Sequence, residues 1–339
     1  MYRFLKGFLG KTQSQPTPAV WQAPTEVVVE GMPPLVLPQY LGWYCDLPVP
    51  DWPAIHLWLD MATDESMKNA AYIACVRAWL LHFCKALGAN YYLLESEQAM
   101  VLSSAKPDIV QVTLSYMERT LKRISYMLDG LAKVPSHGKS ILILFDDLDD
   151  YYRYVSYYYP EDGKFALSGG IHINAQCSHF VTVENDLPLI EPIIVHEMTH
   201  ACLSHLPLPA WIYEGLAVIV EQELAGRKFA SWTPQEMREK HMFFWGKSEI
   251  QEFWSGSSFQ RTDDGNLLSY DLARILVEQL GQNWDQFRQF ALVADQRDGG
   301  AHAARKFFGV SLGALVASLF QKDDTEAFEP LKAGRIVVN

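Results

Sequence analysis

The stretch His196-Glu197-Met198-Thr199-His200, followed shortly by Trp211-Ile212-Tyr213-Glu214-Gly215, decides how the chain reads. Two histidines four residues apart on a helix are rotated by about 40° from one another, so both imidazoles leave one face. One ion can take both. Glu197 stands beside the first histidine, within reach of a water on that ion. Two neutral nitrogens and a carboxylate to handle the proton suit a hydrolytic Zn²⁺ centre. A polar surface helix would also carry two histidines, but the flanks here are Ile193-Ile194-Val195 and Ala201-Cys202-Leu203. A helix apolar all round is buried. Buried imidazoles and carboxylates need partners, and a metal supplies them.

The third ligand sets the subclass. His205 follows His200 by five residues, which turns it about 140° away on a helix, so it is rejected. Pro207 and Pro209 break the first helix, and Pro209 is suited to open a second. Glu214 then falls in the second turn of a helix that folds back antiparallel on the first. Glu221 lies one heptad further along the same face, as a reserve ligand or a carboxylate behind the ligands.

HEMTH followed by LPAWIYEGLA resembles the gluzincin metallopeptidases, the thermolysin-like, peptidase MA-like families whose third ligand lies in a Trp-x-x-Glu-Gly motif. The resemblance runs roughly from Asn90 to Phe320 and is strongest from His196 to Glu221. It implies an α+β, zincin-like fold, with a small mixed sheet, an active-site helix and a mainly α-helical C-terminal half. It also implies one Zn²⁺ per chain on His196, His200 and Glu214, with Glu197 as general base and a peptide or protein as substrate. In such enzymes an edge strand beside the active helix pairs with the substrate backbone, which points to Gly169, Gly170, Ile171 and Asn174. An ordinary interior strand is the other reading of that segment. A Tyr or His commonly stabilises the oxyanion; Tyr270 is the first candidate, with Tyr213 and His241 as alternatives. One departure stands out. Thermolysin has a longer gap to its glutamate and an Asp four residues later that orients a ligand histidine, whereas Val218 occupies that position here.

The whole chain is compatible with this centre. Its 339 residues suffice for one large or two medium domains. The net charge of −12 argues against nucleic acid and anionic membrane surfaces as partners. No uninterrupted apolar run is long enough to predict a membrane span. The N-terminus is interrupted by Arg3, Lys6 and Lys11, which argues against a signal peptide and leaves a short amphipathic anchor as the other reading. Five scattered cysteines with no CxxC read as thiols of a reducing, cytoplasmic setting.

Four parts are expected: an extended lead-in over 1–35, a helical segment over 36–89, the α/β part with the active-site helices over 90–225, and a helical part over 226–339. Asp51-Trp52-Pro53 starts a helix, and a second spans Glu65 to Leu87. Trp52, Trp58 and Trp79 read as core. Tyr91 to Glu95 reads as a strand, followed by a helix over Pro107 to Leu131, then a strand over Ser140 to Phe145. The acidic run Asp146, Asp147, Asp149 and Asp150 caps the next helix or holds a cation. The tyrosines from Tyr151 to Tyr159 pack a helix or line a cleft. Ser168 to Asn174 and Phe180 to Val183 read as strands, with His172 structural. Thr233-Pro234-Gln235-Glu236 is a capping box. Ser255 to Asn266 reads as a polar lid loop, and helices follow to Phe320.

Two further function classes remain: a zinc-bound binding or regulatory protein without turnover, and a structural protein that docks a partner through its N-terminal part.

Overall fold

In the computed structural model, the described residues are 22–331 apart from 136, 160–169, 185–186 and 227–231. They form, in order, β1 (Glu26–Val27), β2 (Leu35–Val36), β3 (Leu41–Tyr44), β4 (Leu47–Pro50), α1 (Trp52–Leu59) and α2 (Glu65–Leu87). Next come β5 (Tyr92–Glu95), β6 (Ala99–Ser103), α3 (Pro107–Met127), β7 (Ser140–Phe145), α4 (Leu148–Tyr158), β8 (Gly170–Ala175) and β9 (Cys177–Val183). Helices complete the chain: α5 (Leu187–Leu203), α6 (Ala210–Ala225), α7 (Pro234–Phe244), α8 (Lys247–Ser255), α9 (Gly265–Leu280), α10 (Trp284–Ala291), α11 (Ala301–Phe308) and α12 (Leu312–Leu319). The fold is mixed α and β.

Five of the strands make one sheet in the order β5-β6-β7-β9-β8. β6, β7 and β9 run parallel, and the edge strands β5 and β8 run antiparallel to their neighbours. Successive side chains of a strand point to opposite faces, and both faces here are covered. Met100, Leu102, Ile141, Ile143 and Val181 enter a core with Trp79 and Phe83 of α2. Val101, Leu142, Leu144 and Phe180 enter a second core built by α3, α5, α6 and the C-terminal helices.

The helices follow local rules. Asp51, Asp64 and Asp147 cap α1, α2 and α4 by accepting from Ala54, Met67 and Asp150 N–H groups. Thr233 and Glu236 form the full capping box of α7. In α3, Val110, Leu114, Met117, Leu121 and Ile124 are buried at steps of four and three. Each such side chain, fully buried, contributes about 1.5–3 kcal/mol. Length and composition alone would let α2 cross a membrane. Its face from Ala71 to Cys84 is instead packed in the first core, with Trp79 Nε1 donating to Pro48 O.

Several expectations are corrected. β6 intervenes between β5 and α3; all five of its residues are buried, so it lacks the polar alternation that marks a strand. α3 ends at Met127, although Leu128 and Leu131 stay buried. The lead-in is not wholly extended chain but carries β1 and pairs it with β2 at its end, and the segment expected to be helical from 36 opens with the β3–β4 pair before α1. Ser255 to Asn266 is not an open lid. Its centre is a 3-10 turn over Ser257–Gln260 with Ser258 and Phe259 buried, and Arg261 is tied to Glu252 and Asp263. Phe259 is drawn in by Phe253 and Tyr270, its ring neighbours.

Candidate metal centre

α5 and α6 fold back on one another, and α9 packs on α6. Pro209 stands at the N-cap of α6, so the break between the helices falls where two prolines remove backbone donors. The close approach of α9 depends on Gly215. A Cβ there would lie 2.6 Å from Ala273 O, inside any real contact. The glycine after Glu214 thus lets α9 lie against the ligand-bearing turn.

This packing brings His196, His200 and Glu214 together. Glu214 Oε2 lies 3.3 Å from His196 Nε2 and 3.2 Å from His200 Nε2, and the two Nε2 atoms are 3.1 Å apart. Three donors bound at Zn²⁺ distances in a tetrahedron would be separated by about 3.3–3.4 Å. The triangle is therefore close to one face of such a tetrahedron. Two nitrogens and one carboxylate oxygen are also a donor set that Zn²⁺ takes, so the residues fit the ion. The triangle is largely buried: the three side chains are 14%, 8% and 19% exposed.

Of the two readings of Glu221, reserve ligand or carboxylate behind the ligands, the geometry matches the second. Glu221 Oε2 lies 3.0 Å from His196 Nδ1. With Nδ1–H donating to that carboxylate, the Nε2 lone pair is aimed at the centre. The signal was present in the sequence, since seven residues, two helical turns, place Glu221 and Glu214 on one face of α6.

The charges follow from burial and pairing. Burial lowers the His196 pKa, but Glu214 and Glu221 overcome it and push the group up to about 10 in the metal-free protein. Burial raises Glu214, and His200 and His196 together hold it well below the usual carboxylate range. Glu197 is different. Burial raises its carboxyl above the ordinary glutamate range, and the histidines do not cancel that. A carboxyl raised in this way suits proton transfer near neutral pH.

Tyr270, from α9, sets its ring 6.2 Å from that of His196. Burial, and then the charges of Glu214, Glu197 and Glu221, hold its phenol well above the usual range, so it is a neutral hydroxyl. The two alternatives are committed elsewhere. Tyr213 Oη donates to His200 O at 2.8 Å. His241 is buried, with Nε2 on Asp271 and Nδ1 accepting from Trp245. His205 lies beyond the end of α5 and is exposed.

β8 is the sheet's edge strand next to β9, and it packs on α5. A Cβ at Gly170 would sit 2.7 Å from Ile193 Cγ2, so the glycine sets this close approach. Ile171 pairs with Val181, and Asn174 with Ser178, along β9. Gly169 lies outside the described residues. His172 Nε2 bonds Ser178 Oγ at 2.6 Å, in keeping with a structural role. The tyrosine cluster divides. Tyr151 and Tyr154 are core, while burial, and then the nearby Glu197 charge, raise the pKa of Tyr159. Asp146, Asp147 and Asp150 lie close enough to share a cation but stay largely in solvent, with Asp147 serving as the α4 cap.

Comparison with protein-family models and with curated proteins returns no match for this chain.

Proposed function

We propose that this chain is a zinc-dependent metallopeptidase of the gluzincin kind, with a zincin-like fold, acting on a peptide or protein. The observation that carries the reading is the triangle of His196 Nε2, His200 Nε2 and Glu214 Oε2, with sides of 3.1–3.3 Å. Zn²⁺ held there supplies a Lewis acid for a peptide carbonyl and lowers the pKa of a water towards about 7. His196, His200 and Glu214 hold the ion, and Glu221 fixes the His196 ring. Glu197 takes a proton at its carboxylate and returns it to the leaving amine. Tyr270, neutral and beside His196, offers a hydroxyl donor to charge developing on the carbonyl oxygen. β8 offers its outer edge to an extended substrate backbone.

Glu221, on His196 Nδ1, supplies a histidine-orienting carboxylate that Val218 does not, which favours turnover over a silent zinc-binding protein. Buried thiols at Cys75, Cys84, Cys177 and Cys202 support a reducing, cytoplasmic setting. The deciding experiment compares wild type and Glu197→Gln on a mixed peptide library, with zinc measured in both. Retained zinc with turnover lowered by about 10²–10⁴-fold is expected. Equal turnover in the two proteins would remove the peptidase reading.

A further inference from the structure

The two histidine ligands are held in different ways. His196 has a carboxylate on its outer nitrogen. The corresponding nitrogen of His200, Nδ1, is buried and has no hydrogen-bond partner among the described residues. What His200 has instead is Tyr213, the residue just before the glutamate ligand. The two rings lie face to face, with centroids 4.1 Å apart and planes 15° from parallel. The Tyr213 hydroxyl also donates to the His200 carbonyl.

That hydroxyl completes a helix terminus. The last carbonyls of a helix lack partners within it. At the end of α5, Ala201 O accepts from Ser204 Oγ, Cys202 O from Lys133 N–H and Leu203 O from Leu206 N–H. Tyr213 serves His200 O in the same set, so one side chain grips both the backbone and the ring of a single residue.

We propose that Tyr213 is the positioning residue of His200, taking the place of the missing hydrogen bond at Nδ1. The proposal rests on the metal reading above and adds to it how the second ligand is aimed. An imidazole turns about χ2 in a broad well. A parallel ring at 4.1 Å narrows that well, because rotation would drive an imidazole edge into the phenol. Tyr213 also borders a cavity of about 360 Å³ with Leu206, Pro209 and Trp254, so packing does not enclose it. The hydroxyl tie to His200 O keeps the ring in place. Because Tyr213 and Glu214 are adjacent on α6, one short segment both supplies the third ligand and aims the second.

The test compares Tyr213→Phe and Tyr213→Leu with wild type, using Glu214→Ala to check the metal site itself. Zn²⁺ affinity is read by competition with a chromophoric chelator. The His200 ring protons are read by NMR in the metal-free protein, where stacking shifts them upfield. Tyr213→Leu is expected to lose the upfield shift and about 10–100-fold in affinity. Tyr213→Phe keeps the ring but loses the tie to His200 O, so it is expected to fall between wild type and Tyr213→Leu in both readouts, whereas a merely structural role would leave the His200 shift and the affinity unlinked. Tyr213→Met replaces the Leu variant should that protein not fold. Zn²⁺ affinity in the Leu or Met variant within about twofold of wild type, while Glu214→Ala has lost the metal, overturns the proposal. So does a wild-type His200 signal without the upfield shift. Wild-type affinity in Glu214→Ala overturns the metal reading itself, and the positioning role with it.

Discussion

At the residue scale, His196 shows what the buried charges do. Without metal it sits between Glu214 and Glu221 with its pKa raised from 6.5 to about 10. A group raised on folding stabilises fully below its unfolded pKa, and the contribution fades as pH climbs through the folded value. The metal-free protein therefore holds this contribution below about pH 6.5 and loses it towards pH 10. Glu214 runs the other way, because its pKa is lowered; its contribution is present above 4.5 and is lost as pH falls further. Glu221→Gln removes one partner of His196. The stability gap between wild type and this variant, both metal-free, is expected to be widest below about pH 6.5 and to narrow towards pH 10. Melting curves across that range read it, and a gap that grows with pH would contradict the pairing. A histidine ligand must be neutral, so Zn²⁺ affinity in wild type rises with pH over the same interval. At pH 7, Glu221→Gln is expected to cost about 10–100-fold in Zn²⁺ affinity, measured by chelator competition.

At the scale of elements, the α6–α9 contact controls the centre through Gly215. Gly215→Ala must push α9 away from Glu214, because the new Cβ would meet Ala273 O at 2.6 Å. A destabilisation of about 1–3 kcal/mol in denaturant unfolding is expected, together with weakened Zn²⁺ binding. Gly226→Ala is the matched control. It also carries a glycine cost, at φ 68, but nothing lies within 4 Å of its Cβ position. It should lose about 1 kcal/mol and keep its metal affinity. Equal metal affinity in Gly215→Ala and Gly226→Ala would mean that α9 does not brace the ligands. The elements also show what the sequence could say. α2, α3, α6 and α7 were legible because caps, prolines and helical spacing are local signals. The His196, His200 and Glu214 grouping was legible because helical spacing and one tight reversal set it. β6 was not, because a fully buried five-residue strand carries no alternation. The tie between Tyr213 and His200 was not, because it crosses between helices, and nothing in Trp-Ile-Tyr-Glu-Gly says which way the tyrosine ring points.

At the scale of the molecule, the sheet divides two cores, and only one of them holds the candidate metal centre. Strand order was beyond the sequence, since β9 pairs with β7 across α4 and β8. Chain length argues for unfolding in parts, because chains beyond about 150 residues commonly populate intermediates. The sheet argues the other way. β7 sends Ile141 and Ile143 into the core of Trp79, and Leu142 and Leu144 into the core of Trp211. Neither half can lose its packing without stripping one face of the same central strand, so the second argument is the stronger. Zn²⁺ at about one hundred times its dissociation constant adds about 2.7 kcal/mol to whatever unit unfolds with the site. That gain is expected to reach α2, on the other face of the sheet, and the edge strand β5, as well as α5 and α6. Hydrogen exchange with and without Zn²⁺ measures it directly. Slow amides of α2 and of α6 should gain protection together, whereas protection confined to α5, α6 and α9 would show two units joined by a sheet that does not couple them.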